Sequence, residues 1–222
     1  MQKSNLPKNS LLVVPDKKGK YPLAIIFGGM YYANPSWVLE QVTPKMLDEA
    51  ILVLIPYTES YSEIVPEAKK EIANKGYDIS GISLMGFSAG GNDVLQNYSD
   101  DFYFIGLIDP SLTQSGLNLP IDNRWGMMFN DKNWGGYPSI KSLFKPYADK
   151  INENDGFALG TNLKHEDIPK EFFKEFESKI LKGAGKFSLG DKSGNKSIFL
   201  VGLGIVLIGI GIYSIIRFSS KN

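Results

Sequence analysis

The chain contains no cysteine. That excludes disulfides, thiolate nucleophiles and every metal site built on sulfur. It has one histidine, His165, so a metal site made of several imidazoles is excluded as well. Any chemistry that needs an imidazole must use that one residue. Arginine is scarce, at Arg124 and Arg217 only, and nearly all positive charge is lysine. The charges of opposite sign balance at 24 each. No net field therefore points to nucleic acid or to an acidic partner. The N-terminal stretch "MQKSNLPKNS" has no apolar segment of the kind a cleavable signal peptide carries.

What the chain does have is 222 residues with 43% hydrophobic content, enough for one domain with a real core. Apolar runs alternate with helical patterns, which predicts a mainly parallel sheet flanked by helices, an α/β fold. Strands are expected at 10–15, 21–29, 50–57, 79–87, 102–109, 124–130 and 156–161. Helices are expected at 62–76, 89–99 and 139–150. A last helix in "DIPKEFFKEFESKILK" sets Ile168, Phe172, Phe176 and Ile180 on one stripe, with Phe173 beside it.

One run stands apart. Ser197 to Ile216, "SIFLVGLGIVLIGIGIYSII", carries no charge. A helix of about 20 residues spans ~30 Å, the hydrocarbon thickness of a bilayer. Lys196 and Arg217 bracket the run, and Tyr213 sits near one end. The expected organisation is a soluble domain over 1–181, a Gly/Ser/Lys-rich flexible linker over 182–196, a transmembrane helix over 197–218 and a tail over 219–222. Gly202 and Gly209 are seven apart, as are Gly204 and Gly211, a spacing that permits close helix–helix association. Lysines 182, 186, 192 and 196 precede the run, against Arg217 and Lys221 after it. The positive-inside rule then favours a cytosolic domain with a C-terminal single-pass anchor.

The stretch "SLMGFSAGGNDV" (83–94) contains Gly86-Phe87-Ser88-Ala89-Gly90, a G-x-S-x-G pattern. The pattern alone decides little. Its setting does more, because an apolar strand runs into Ser88 and a helical pattern leaves it. A nucleophile elbow needs that strand–turn–helix context, with small residues at 86 and 90 so that strand and helix can approach. A serine hydroxyl needs a base, and the base needs an orienting group. His165, in "NLKHEDIPKEFF", follows the last expected strand and precedes the last soluble helix, which puts it at the same sheet edge as Ser88. Two aspartates end strands at suitable places: Asp109 in "GLIDPS" and Asp131 in "MMFNDKNW".

These residues resemble the α/β-hydrolase superfamily over about 10–181. The resemblance rests on the elbow at 86–90, the order serine–acid–histidine, "HEDIPKEF", and the glycine pair after the second strand. It implies acyl transfer to water through a serine acyl-enzyme, with Ser88 as nucleophile and His165 as base. It favours Asp131 as the acid, on the strand where the family usually carries one, with Asp109 as the alternative; Asn133 stands where the usual G-x-x-D spacing would put the acid. It also implies an oxyanion hole from the backbone N–H of Ala89 and from the turn at 28–30, with Met30 as donor and Gly29 as the neighbouring choice. Tyr31, Tyr32 and Trp37 either line an acyl pocket or pack the loop, and Trp125 and Trp134 carry the same ambiguity. The short Pro110–Asn123 connection leaves no room for a large lid. Neither a cofactor nor a metal is implied.

The expected activity is that of a membrane-anchored serine hydrolase cleaving a carboxylic ester, with a small or surface-presented acyl substrate. A binding or scaffold protein on a lapsed hydrolase fold, and an acyltransferase or peptidase using the same triad, are the competing readings.

Overall fold

A computed structural model of the chain describes residues 1–32, 34–57, 59–112, 120–130 and 138–182, with side chains left undescribed at 138–144. Eight strands form one sheet in the order β1-β2-β4-β3-β5-β6-β7-β8. They are β1 (Gln2–Asn5), β2 (Leu11–Val14), β3 (Lys20–Phe27), β4 (Ile51–Ile55), β5 (Asp78–Phe87), β6 (Phe102–Ile108), β7 (Trp125–Asn130) and β8 (Phe157–Thr161). The pairs from β4 through β8 are parallel, while β1 and β2 run antiparallel at one edge.

The central strands are buried on both faces, which is why they read as unbroken apolar runs. Alternation along β3 divides them. Leu23, Ile25 and Phe27 face one core, and Ala24 and Ile26 face the other. The first core is covered by α3 (Tyr61–Asn74), α4 (Gly90–Asn97) and α5 (Pro138–Glu153), through Ile64, Ala68, Ile72, Val94 and Ile151. The second is covered by α1 (Pro35–Gln41), α2 (Pro44–Glu49) and α6 (Ile168–Leu181). The expected α6 stripe is that covering surface: Ile168, Phe172, Phe173, Phe176 and Ile180 are all buried, and the Phe172 and Phe176 rings lie 4.5 Å apart.

The sequence expectations missed three elements. β1 is entirely polar, and as an edge strand it needs only the β2 ladder, in the register Gln2↔Val14 to Asn5↔Leu11. α1 and α2 are short and start from local caps. Asn34 accepts a hydrogen bond from the Ser36 N–H at 2.9 Å, Thr43 from the Met46 N–H at 3.1 Å, and a proline opens each helix. Among the described residues no helix is long and apolar enough to cross a membrane. The apolar run at 197–216 and the linker from residue 183 onward lie outside the described residues.

Candidate active site

The parallel strands bring several chain segments to one edge of the sheet. β5 and β6 end in register, Phe87 beside Ile108, so Ser88 and Asp109 are the next residues on adjacent strands. Each turns sharply there, with φ of 53° at Ser88 and 38° at Asp109. Left-handed backbone is unfavourable for residues with a Cβ and persists only where the surroundings enforce it. The Ser88 N–H donates to Ile108 O at 2.9 Å, and the Ser88 carbonyl accepts from Gly91 N–H at 3.0 Å and Ser111 N–H at 2.8 Å. The Asp109 N–H donates to Met128 O at 2.7 Å. Asn92, in the first turn of α4, adds two side-chain donations, to Ala89 O at 3.1 Å and Ser111 O at 2.8 Å.

The turn at Ser88 works only with glycine around it. A Cβ on Gly86 would stand 2.1 Å from the Gly90 carbonyl oxygen, and one on Gly90 would stand 2.6 Å from that of Gly28. Strand, helix and the turn after β3 thus touch backbone to backbone. A Cβ on Gly29 would lie 2.8 Å from the Ser88 Cβ, so the 29–32 turn sits directly against the serine. The Tyr32 N–H closes that turn on Gly29 O at 3.1 Å. Neither the Met30 N–H nor the Ala89 N–H has a hydrogen-bond partner among the described residues. Ala89 caps α4, where the first N–H groups of a helix gather partial positive charge.

His165 opens a short 3-10 turn, His165–Asp167, that leads into α6. Its Nδ1 lies 2.6 Å from Asp109 Oδ2, a short charge-assisted contact between two largely buried side chains. An Nδ1–H donates to the carboxylate in the tautomer whose Nε2 carries the lone pair. The ring stacks on Phe87, the residue before Ser88, at 4.4 Å and 30°. Tyr32 meets the ring edge-on at 6.0 Å.

Among the described residues, the carboxylate at His165 is that of Asp109. Asp131, on the strand where the resemblance places the acid, lies outside the described residues. The carboxylate that meets His165 belongs to Asp109, the alternative. Register is the physical reason: Asp109 sits beside Ser88 at the strand ends, and its other oxygen, Oδ1, accepts the Asn130 N–H at 2.9 Å. Asn130, which sequence reasoning passed over, also donates from Nδ2 to Leu163 O at 2.9 Å, two residues before His165.

The aromatic residues sort clearly. Tyr32 and Trp37 lie 4.3 Å apart and both pack on Phe87, Trp37 stacked and Tyr32 tilted, so they pack the loop against the elbow. Tyr31 is 87% exposed and Met30 53%. Trp125 is fully buried in the core, and Trp134 lies outside the described residues.

No family model matches the chain, and no curated protein matches it either. Solved structures do. A ferulic acid esterase superposes with a TM-score of 0.56 at 14% identity, covering 81% of this chain and 96% of its own. A lipase/esterase from Lactobacillus plantarum gives 0.52 at 16% identity, over 81% of this chain and 98% of its own. The S-formylglutathione hydrolase of Staphylococcus aureus gives 0.53 at 10% identity, over 81% and 93%. Mostly parallel sheet, helices on both faces and a left-handed serine between β5 and α4 together give this chain the fold of the α/β-hydrolase superfamily.

Proposed function

We propose that the protein is a serine hydrolase that cleaves carboxylic esters, held at a membrane by its C-terminal apolar segment. The observation that carries this is the Asp109–His165 pair, 2.6 Å apart, beside a serine in left-handed conformation at a strand-to-helix turn. Ser88 Oγ attacks the ester carbonyl carbon while His165 Nε2 takes its proton. Asp109 holds the imidazole in the tautomer that can accept that proton and stabilises the imidazolium that forms. The charge on the carbonyl oxygen is received by the N–H groups of Ala89 and Met30, which have no other partner to give up. The tetrahedral intermediate collapses, the alcohol leaves with the proton from His165, and Ser88 carries the acyl group. Water, deprotonated by His165, then attacks the acyl-enzyme and releases the acid.

Met30 and Tyr31, exposed on the turn against Ser88, and Leu163, exposed just before His165, give the site an apolar rim. That suits a substrate whose acyl or alcohol part is apolar. The uncharged run 197–216, long enough to span a bilayer, supports an anchored enzyme with its domain on the cytosolic side.

A fluorophosphonate probe tests the chemistry. The full chain should be labelled, and both Ser88→Ala and His165→Ala should lose the label. Labelling that survives in Ser88→Ala excludes that serine as nucleophile, and an unlabelled parent chain points to a binding protein on this fold. Protease treatment of sealed, cytosol-out vesicles tests the anchor: digestion of the domain is expected, and full protection refutes the cytosolic placement.

A further inference from the structure

Two hydrogen bonds from one residue join the carboxylate that meets His165 to the loop that precedes His165. Asn130 is the last residue of β7. Its backbone N–H fixes Asp109 Oδ1 at 2.9 Å. A carboxylate held by one oxygen can no longer rotate freely, so Oδ2 is aimed at His165 Nδ1. Its side-chain Nδ2 donates to Leu163 O, also at 2.9 Å, and so fixes the loop between β8 and the 3-10 turn that starts at His165. The Leu163 N–H is held from the other side by Thr161 Oγ1 at 3.1 Å. The three residues between β8 and His165 are thereby tied to the ends of both β7 and β8.

From this geometry we infer that Asn130 is a positioning residue, a clamp that sets the Asp109–His165 pair by holding the carboxylate with its backbone and the histidine loop with its side chain. The inference rests on the serine-hydrolase reading for its kinetic consequence, but not for its structural one. Asn130→Ala keeps the backbone donor and removes the side-chain donor. The histidine loop then drifts relative to a carboxylate that stays in place. Misalignment of a catalytic pair by a fraction of an ångström lowers turnover without touching substrate binding, so kcat should fall about tenfold with KM unchanged. Asn130→Asp keeps the size but puts an oxygen where Nδ2 donates, facing the Leu163 carbonyl, and should lose as much.

The sole histidine makes a direct spectroscopic test possible. In the full chain labelled with 15N-histidine, the ring Nδ1 proton gives one signal, and its downfield position reports the bond to Asp109. Asp109→Ala should abolish the downfield signal. Asn130→Ala and Asn130→Asp should move it upfield and speed its exchange with water. In ester hydrolysis the losses from Asp109→Ala and Asn130→Ala should fail to multiply, because both act on one contact. A merely structural lesion would multiply and would leave the proton signal in place. An unchanged signal in both Asn130 variants, or fully multiplicative losses, overturns the clamp. A signal that responds as expected in a chain without esterase activity would instead overturn the hydrolase reading and leave the clamp standing.

Discussion

Ser88 and Asp109 occupy equivalent places one residue beyond the ends of neighbouring parallel strands, and both bend into left-handed backbone there. The two side chains are thus placed by register, and His165, following a third strand end, meets the Asp109 carboxylate.

The first prediction follows from that placement. Asp109→Asn should lower kcat for ester hydrolysis by about 10^4-fold, because the amide stabilises neither the correct tautomer nor the imidazolium. Asp131→Asn should change it little. Steady-state kinetics of the two variants, side by side, decide the matter; a larger loss in Asp131→Asn would reverse the assignment.

Gly86→Ala tests the elbow itself. Its Cβ would meet the Gly90 carbonyl oxygen at 2.1 Å and carbonyl carbon at 2.5 Å, backbone that cannot swing aside, with Val94 Cγ2 at 2.8 Å. Overpacking of this kind costs about 1–3 kcal/mol, and the shift of α4 should also displace Ser88. Thermal melts and probe labelling should fall together. A variant with parental stability and labelling would show that the strand–helix approach is looser than described.

Asp93, in the first turn of α4, gives a pH prediction. Burial raises its pKa from 3.8 to about 6, and its Oδ2 is buried with no partner among the described residues. The folded protein therefore holds this proton more tightly than the unfolded chain does. Stability contributed by the neutral form is lost as pH rises through that window and stays lost above it. Asp93→Asn should raise Tm at pH 8 and have little effect near pH 4. The group is only half buried, so solvent screening limits the gain to roughly 1 kcal/mol, or about 2–4 °C for a domain of this size. Equal melting shifts at both pH values would contradict this account.

Thr43 joins two helices on the second core face. Its Oγ1 accepts the Met46 N–H at the start of α2 and donates to Glu177 on α6. Thr43→Ala should cost about 1 kcal/mol through the lost cap, with activity preserved. Denaturant unfolding would measure it.

Most of the sheet was legible in the sequence because doubly buried strands are continuous apolar runs, and the α6 stripe because its period matches a helix. β1 was not legible, since "QKSN" has neither apolar content nor alternation and depends on its partner strand. Ser88 and His165 could be picked out because each has a local or compositional signature: the elbow pattern for one, sole occurrence for the other. Asp109 had neither. "GLIDPS" reads as a strand stopped by a proline turn, and only the β5–β6 register shows that Asp109 stands level with Ser88. Asn130 was missed for the same reason, since half of its role belongs to a backbone N–H, which every residue but proline possesses.

The separation of the site along the chain bears on its biosynthesis. Ser88 and its bracing groups all lie before residue 112, whereas the imidazole arrives on the segment between β8 and α6. A ribosome releases the chain from its N-terminus, so the elbow can be shaped while His165 is still being translated. Until β8 has paired and α6 has docked its phenylalanines, the nascent protein presents Ser88 without the Asp109–His165 pair beside it. On the serine-hydrolase proposal, hydrolysis should begin only once the domain is complete.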